Sequence, residues 1–238
     1  MFWVALLCSL IPADPPVDSS AVTVDEAAAS EESPDDATPG QKRSDDKPDS
    51  AAYVDEDLGL TFPRTLGGLT FANQSQFPQP GLGYAVRYSD GELTKFDVYV
   101  YDGDLESIPD GHTDDVIRQQ VAETGNLIKY MASKGYYSDV RSSGEGVFPE
   151  DPSEGQPAFR FNQFTFMKNA APRSTDTGLR VSETYVRGFR NHFLKVRTTY
   201  DEATAEATRP AREAALTELL KLSVAAAEPA ADDTATAE

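Results

Sequence analysis

The sequence has few of the residues from which most metal and nucleophile sites are built. It contains one Cys and two His among 238 residues. A single Cys forms neither an internal disulfide nor a thiolate cluster, which excludes disulfide scaffolds and zinc sites that need several Cys. Basic residues are also scarce, with 21 Lys plus Arg against 40 Asp plus Glu. Because nucleic-acid binding depends on cations that neutralise phosphates, this balance argues against a nucleic-acid partner.

The negative charge is concentrated outside the central part of the chain. Residues 1–56 have a net charge of -10, residues 57–226 of -5 and residues 227–238 of -4. Residues 14–50 contain no aromatic residue, so this stretch buries too little apolar surface to offset the entropy of ordering it. We therefore expect residues 14–56 to be a disordered acidic linker, residues 57–226 to form one domain, and residues 227–238 to be a disordered acidic tail.

The first residues form an apolar segment, Phe2–Ile11. Its length suits the central region of a signal peptide and is below the ~17–25 residues of a membrane span. No Lys or Arg precedes Lys42, so the usual positive start is missing, and Leu7 before Cys8 is too large for a lipoprotein signal. We expect residues 1–13 to act as a signal peptide and the protein to be periplasmic or secreted. An amphipathic surface anchor and a buried terminal strand are the alternatives.

Alternating aromatic and β-branched residues between turn residues predict a series of strands. Asp90-Gly91 is typical of a hairpin turn because Gly readily adopts positive φ, and residues 188–192 form a second hairpin-sized connection. In the first hairpin, Tyr84, Val86 and Tyr88 share one face of the first strand. On the second strand a face is shared by Phe96, Val98 and Val100, and we expect both triplets to face the core. The predicted strands are Leu60–Phe62, Leu69–Phe77, Gly83–Tyr88, Lys95–Tyr101, Tyr136–Ser142, Ala158–Asn169, Leu179–Arg187 and Phe193–Tyr200.

Two helices are predicted from apolar residues spaced three and four apart. The first runs from about Thr113 to Lys134, with acidic residues at its start and Gly135 after its end. The second begins near Pro210 and ends at about Val224. The buried stripes are Ile117, Val121, Thr124, Ile128 and Met131 in the first helix, and Ala215, Leu216, Leu219 and Leu220 in the second.

These elements predict a single α+β domain, with an antiparallel sheet of about six or seven strands packed by two main helices. The element order, together with the closing strand Asn191–Arg197 and the helix after it, resembles the PsbP-like and DcrB-like domains over residues 58–224. The resemblance implies an exported or organelle-lumenal domain of a group that mostly lacks catalytic machinery. It carries no functional residue over to this chain.

The densest acidic segment of the predicted domain precedes the first helix. Asp102, Asp104 and Glu106 have the spacing of the first three ligands of a calcium loop. However, Ser107 stands where that loop needs its turning Gly, and Thr113 stands where it needs a bidentate Glu. We therefore favour a solvated connection whose acidic residues cap the helix.

Neither His belongs to a recognisable catalytic motif. His112 lies beside Asp110, Asp114 and Asp115, yet the chain has no Gly-x-Ser-x-Gly or His-Glu-x-x-His motif. His192 falls in the second predicted hairpin connection, where a polar turn residue is expected. Residues 81–83 (Gly-Leu-Gly) open a strand instead of a helix, which is atypical of a nucleotide loop and suits a bulge or a tight entry into the strand.

Two sets of side chains suggest binding surfaces. Tyr99 and Tyr101 lie on the strand face opposite Phe96, Val98 and Val100. There they can form a platform that binds a carbohydrate or an aromatic ligand, or they can pack under a helix. Packing is the favoured interpretation. A second set consists of basic residues that alternate with apolar neighbours on three late strands, so that several are expected on one side of the sheet. Such a basic face would bind an acidic partner or anionic surface, or its charge is balanced by Asp and Glu. This set is Arg160, Arg180, Lys195 and Arg197.

From these patterns we predict an exported, non-catalytic α+β domain that binds an unknown envelope protein or a small ligand. No catalytic, cofactor-binding or metal-binding residue is assigned, and we expect a monomer without a stable membrane span. The alternative is a small exported hydrolase or metal-dependent enzyme whose Asp, Glu and His residues are dispersed in the sequence. A deep pocket with converging carboxylates or a His–carboxylate pair would favour that alternative.

Overall fold

The computed structural model of the protein describes residues 51–91, 94–169 and 178–227. The predicted signal segment, most of the predicted linker and nearly all of the predicted acidic tail lie outside these residues. The first described strand starts at Ala51, six residues before the predicted start of the domain.

The described ranges contain ten strands, two α-helices and a short 3-10 turn. The helices are α1 (Asp115–Ser133) and α2 (Ala205–Ala227), and the 3-10 turn is Glu202–Thr204. The strands are β1 (Ala51–Asp55), β2 (Leu60–Pro63), β3 (Thr65–Leu66), β4 (Leu69–Gln76), β5 (Tyr84–Ser89), β6 (Thr94–Tyr101), β7 (Tyr137–Phe148), β8 (Phe159–Lys168), β9 (Gly178–Phe189) and β10 (His192–Asp201).

Eight strands form one antiparallel sheet in the order β3-β4-β5-β6-β10-β9-β8-β7, and β1 pairs with β2 as a separate ribbon. The α+β class is therefore confirmed, and the predicted number of about six or seven strands was too low. The sequence pattern missed β3 because it has only two residues. It missed β1 because that strand belongs to the acidic stretch and gains its stability from pairing with β2.

One face of the large sheet, here called the α2 face, is covered by α2 and the β1–β2 ribbon. Both predicted core triplets lie on this face and are buried, as are the predicted apolar residues of α2. Burial of this apolar surface supplies the main stabilisation of the fold. The central members of the core are Phe62, Tyr84, Val86, Tyr88, Phe96, Val98, Val100, Leu194, Val196, Leu216 and Leu219.

The opposite face, here called the α1 face, has α1 packed over β7, β8 and β9. Ile128 of α1 packs on Phe164 and Phe166 of β8. Helix and sheet approach closely at Gly125, where an added Cβ would lie 2.7 Å from the ring of Phe164. Asn162 of β8 donates a hydrogen bond to a carbonyl oxygen of α1 at 2.7 Å, so a buried polar contact also ties the helix to the sheet.

Helix α1 agrees with its sequence prediction to within two residues at each end. Asp114 is the N-cap, and its side chain accepts a hydrogen bond from the backbone N–H of Val116 at 2.9 Å. Gly135 follows the helix with a φ of 82°, a conformation that favours Gly after a helix end. The predicted stripe is buried along its length.

Helix α2 begins earlier than predicted. It starts at Ala205, so Pro210 lies inside the helix and not at its first position. Side chains satisfy carbonyls of the first turns, because Thr208 donates to Thr204 and Arg212 donates to Ala205. These bonds favour a helix that extends before Pro210, although the ring removes one intrahelical donor.

The turn between β9 and β10 is shorter than the predicted connection. Only Arg190 and Asn191 separate the strands, with φ values of 47° and 63°. Positive φ at both central residues is the two-residue hairpin turn that matches strand twist. His192 therefore begins β10 and does not belong to the turn.

The connection between β6 and α1 crosses the end of the sheet and is fixed to β9. The backbone groups of Gly111 and Gly188 exchange two hydrogen bonds, at 3.0 and 2.7 Å. Asn191 accepts a hydrogen bond from the backbone N–H of Ile108 at 2.7 Å, and Asp110 accepts one from the backbone N–H of Arg190 at 2.6 Å. The acidic connection is thus anchored to the β9–β10 turn.

Candidate functional site

A group of cationic side chains lies on the α1 face where β5, β6 and β10 adjoin. Arg87 pairs with Asp97, and Asp97 pairs with Arg197, so these three form one row across the strands. Lys195 lies in the next row beside Tyr99. Lys95 lies in the row on the other side of Asp97, since side chains two residues apart share a face. We call Arg87, Lys95, Lys195 and Arg197 the basic patch, with Asp97 as the carboxylate at its centre.

Asp97 is held by Arg87. The Nε atom of Arg87 lies 2.5 Å from Oδ1 of Asp97, and this hydrogen bond raises the pKa of Arg87 against the opposing effect of burial. The side chain of Arg87 is 29% exposed and that of Asp97 is 13% exposed. Among the described residues only Nε is engaged, so the two terminal nitrogens of the guanidinium remain available as donors.

Arg197 has a weaker partner. Its Nε lies 3.4 Å from the hydroxyl oxygen of Ser182 on β9. Within the described residues, its guanidinium makes no ion pair within 4.0 Å. The patch therefore combines one paired and one unpaired guanidinium on either side of Asp97.

Lys195 is the most enclosed cation of the patch, at 4% exposure. Its Nζ lies 5.7 Å from the ring centre of Tyr99 and 5.9 Å from that of Tyr101. Burial, followed by the charge of Arg197, lowers its pKa to about 8, against the opposing effect of Glu123 on α1. Lys195 is therefore still largely protonated at neutral pH, in a site where water does little to solvate its charge.

The predicted basic set does share one side of the sheet. Arg160 on β8 and Lys195 on β10 are both register partners of Val186 on β9, so their side chains lie on the same face as that of Val186. Arg180 lies on this face too, and its register partner is Asp201. Arg180 forms an ion pair with Asp201, as expected for a sheet face balanced by acidic residues. The Nε atom of Arg160 is buried and has no hydrogen-bond partner among the described residues. The charge of the predicted basic set is thus only partly neutralised.

Tyr99 and Tyr101 are packed, as the sequence analysis favoured. They are 7% and 9% exposed, and burial raises the pKa of both phenols. The ring of Tyr101 lies 5.2 Å from that of Phe193 on β10. The two rings form walls around Lys195 and leave no broad aromatic platform for a sugar.

The acidic connection does not gather into a metal site. Asp102 accepts a hydrogen bond from the backbone N–H of Asp104 at 3.0 Å, which uses one carboxylate oxygen to hold the turn. In the part of the chain that the structure describes, no three His, Cys, Asp or Glu residues come together in an arrangement that could hold a metal ion.

The two His residues lie in different surroundings. His112 is partly buried next to the Gly111–Gly188 contact, and its pKa is lowered by burial and by the charges of Arg160 and Arg187. His192 is directed to the turn that precedes it, where Nδ1 lies 2.9 Å from the carbonyl oxygen of Arg190. Their environments therefore favour a neutral ring at His112 and a turn-anchored ring at His192.

An open cleft of about 380 Å³ brings His192 and Asp102 to one surface. It also contains residues from the loop before β5, where Gly81 and Gly83 have positive φ at the tight entry into the strand, as predicted. Among the described residues, His192 and Asp102 make no hydrogen bond to each other. His192 bonds to the backbone of the adjacent Arg190–Asn191 turn, and Asp102 bonds to the backbone N–H of Asp104. The arrangement lacks the orienting bond between carboxylate and imidazole that general-base catalysis uses.

The α2 face contains a buried polar network that the sequence analysis missed. Oε1 of Glu183 accepts hydrogen bonds from Tyr200 at 2.9 Å and from Gln163 at 3.2 Å, and Oε2 accepts one from Tyr185 at 3.2 Å. Arg212 of α2 lies 3.6 Å from Oε2 and stacks on the ring of Tyr200. A detectable signal existed, because Glu183 and Arg212 occupy core-facing positions of an apolar strand and helix. The network joins α2 to the sheet.

Comparisons with known proteins add a fold-level similarity. No protein-family model and no curated protein matches the chain. Among solved structures, the solution structure of cyanobacterial PsbP (CyanoP) from Synechocystis sp. PCC 6803 is similar, with 12% sequence identity and a TM-score of 0.39. The match covers 73% of this chain and 88% of that chain. This is a weak fold-level resemblance to the group that the element order resembled, and no residue role is transferred from it.

Proposed function

We propose that the protein is an exported, non-catalytic domain that binds an anionic ligand at the basic patch. The observation that carries this proposal is the convergence of Arg87, Lys195 and Arg197 on neighbouring strands around a single carboxylate, in a chain whose net charge is -19. In so acidic a protein, a cluster of the opposite sign attracts anions locally while the acidic surface elsewhere repels them.

The size of the patch limits what it binds. Neighbouring strands lie about 4.8 Å apart and alternate residues about 6.8 Å apart along a strand. The patch thus spans about 10 Å across β5, β6 and β10 and about 14 Å along them. Such an area suits one small anion or one short acidic segment. An extended membrane surface would also meet the acidic residues elsewhere on the domain.

Titration of the full chain with tripolyphosphate and with a hexaglutamate peptide tests the binding part of the proposal. We expect at least one of these probes to bind, with an affinity that falls as salt is added. The double substitution Arg87→Gln/Arg197→Gln should weaken that binding by about tenfold or more, since it removes two charge-assisted donors.

The matched control is Arg141→Gln/Arg209→Gln, which removes the same charge from exposed positions outside the patch. It should bind as the unchanged chain does, to within about twofold. Equal losses in the two double variants would mean that overall charge, and not the patch, governs binding. Failure of both probes to bind the unchanged chain would refute the proposal.

The non-catalytic part is supported by the hydrogen bonds at the cleft. His192 and Asp102, the His and carboxylate that share the cleft, are each bonded to the backbone of an adjacent turn. A screen of ester, phosphate and glycoside substrates should show no turnover that depends on either residue. Hydrolysis abolished by His192→Ala, with the fold intact, would establish the enzymatic alternative.

Export is proposed from the sequence alone, because the apolar segment Phe2–Ile11 has the length of a signal peptide and is followed by an acidic stretch. In the described residues, neither helix has the length and apolar character needed to span a membrane. Fractionation of cells that express the tagged full chain would test export. Protein found only in the cytoplasm would contradict it.

A further inference from the structure

We infer that the anionic group recognised by the basic patch is a phosphate on a small soluble molecule, and that Lys195 is its specificity-determining contact. This inference rests on the proposed function, because it names the ligand of the same patch. It starts from the ammonium of Lys195, which is enclosed between Tyr99 and Tyr101 and, within the described ranges, has neither a hydrogen bond nor an ion pair.

An enclosed ammonium without hydrogen bonds is unfavourable unless an anion compensates it. The two tyrosine rings supply only a cation–π attraction at distances near 6 Å, which is a weak substitute for lost water. Three N–H donors of Lys195 therefore remain to be used. A bound anion would satisfy them and relieve the cost of burying the charge.

The neighbouring guanidiniums can reach the same anion. Arg197 lies two residues from Lys195 on the same strand face, about 6.8 Å away along the backbone. Arg87 lies across the Asp97 row, about 10 Å from Arg197, and its two terminal nitrogens bond to none of the described residues. Long arginine side chains span such separations, so one group between them can accept from both and from Lys195.

The number of donors favours phosphate over carboxylate. Two guanidinium forks and one ammonium offer more N–H groups than the two oxygens of a carboxylate can accept. A phosphate monoester has three terminal oxygens and nearly two negative charges at neutral pH. The four cations of the patch exceed its one carboxylate by three charges, so a dianion compensates them better than a monoanion does.

The charged and titratable groups around Lys195 make this contact sensitive to pH. Arg197 on β10 and Arg160 on β8 lie on the same sheet face as Lys195. The phenols of Tyr99 and Tyr101 stay neutral because burial raises their pKa, and Glu123 faces the site from α1. Since the pKa of Lys195 is lowered to about 8, its charge is lost from about pH 8 upward. Phosphate binding should weaken over the same interval.

The test measures binding of glycerol 3-phosphate and of lactate to the full chain by calorimetry. We expect glycerol 3-phosphate to bind and lactate to bind at least about tenfold more weakly. Lys195→Met should weaken glycerol 3-phosphate binding by about tenfold or more at neutral pH. Lys195→Arg should retain binding within about threefold and remove its loss between about pH 7 and pH 9, because Arg stays charged.

The matched control is Lys221→Met, which removes an exposed Lys of α2, outside the patch, and should change the affinity by about twofold at most. If Lys195→Met does not fold, the inference is tested by two other measurements. Binding by the unchanged chain should weaken between about pH 7 and pH 9, and binding by Lys195→Arg should not. Equal affinity for lactate, an unchanged Lys195→Met variant, or binding only to phosphatidate vesicles would each overturn the inference.

These outcomes separate the inference from the proposed function. Hexaglutamate binding that depends on Arg87 and Arg197, without glycerol 3-phosphate binding, would leave the proposed function standing and refute the inference. Binding of none of the probes would refute both.

Discussion

Tyr200 of β10 donates a hydrogen bond of 2.9 Å to the buried carboxylate of Glu183 on β9, two strands that are joined by the Arg190–Asn191 turn. The same carboxylate lies 3.6 Å from Arg212 of α2. A single carboxylate side chain thus connects the middle of the sheet to the helix that covers it. Removing either charge leaves the other without compensation in a region of low polarity.

We expect Glu183→Gln to lower the free energy of unfolding by about 2–4 kcal/mol, because it leaves the charge of Arg212 buried and unpaired. Urea denaturation of the full chain measures this change. Glu154→Gln, at an exposed loop position, is the control and should change it by less than about 0.5 kcal/mol. Equal stability of the two variants would show that the network contributes little.

The core assignment predicts a contrast between apolar and His substitutions. Val98→Ala and Ile128→Ala remove buried methyl groups from the two faces of the sheet and should each cost about 2–4 kcal/mol. His112→Ala and His192→Ala should each change stability by less than about 1 kcal/mol. Thermal melts measure all four. A large loss at either His, with both apolar variants neutral, would overturn the assignment.

Lys195 should make stability depend on pH in the alkaline range. The pKa of Lys195 is near the ordinary 10.5 in the unfolded chain and about 8 in the folded chain. Between these values the unfolded chain holds a proton that the folded chain lacks, so the contribution of Lys195 to stability rises with pH. From pH 7 to pH 9, this contribution should rise by roughly 1–1.5 kcal/mol.

The measurement compares urea denaturation of the unchanged chain and of Lys195→Met at both pH values. The difference between the two chains removes the effects of the buried tyrosines, which ionise only after unfolding. Parallel pH profiles would show that the ammonium is better solvated than its burial indicates.

The contact between the acidic connection and β9 predicts an unusual sensitivity at Gly188. A Cβ at this position would overlap the carbonyl oxygen of Pro109, and backbone cannot move aside as readily as a side chain. Gly188→Ala should therefore cost about 2 kcal/mol or more. At Gly144 of β7 the Cβ would meet the flexible side chain of Gln163 at 3.0 Å, so Gly144→Ala is the control. Equal losses would place the strain elsewhere.

The position of β1 predicts where the folded unit begins. Tyr53 of β1 packs on the rings of Phe62 and Tyr84, at 6.0 and 5.0 Å between ring centres. Limited proteolysis of the full chain should leave a fragment that includes Ala51. A protected fragment that starts after Asp55 would show that β1 is dispensable.

Periodicity predicted the elements whose stability comes from an apolar face. The stripe of Ile117, Val121 and Ile128 gave α1 to within two residues, and the alternation around Val98 placed β6 and its core side correctly. These patterns are local and repeat at the period of the helix or strand. Helix α2 was predicted to start late because Pro210 is typical of a first turn, whereas contacts from Thr208 and Arg212 stabilise an earlier start.

The candidate site could be predicted only in part. Strand alternation correctly put Lys195 and Arg197 on one side of the sheet. It could not add Arg87 or Asp97, since their strands become neighbours of β10 only through the pairing of β6 with β10. The Glu183–Arg212 pair was missed for a similar reason, because its two members are brought together by packing of α2 on β9.

The sheet consists of two consecutive meanders, β3 to β6 and β7 to β10, and β6 with β10 is the seam between them. Every other neighbouring pair in it is also consecutive along the chain. Each meander can therefore form by closing short loops. Only the pairing of β6 with β10 requires a long loop to close, and it has the larger entropic cost. The basic patch lies across this seam. A ligand bound by both Arg87 on one meander and Lys195 on the other would stabilise the pairing of β6 with β10, which is the pairing with the largest entropic cost.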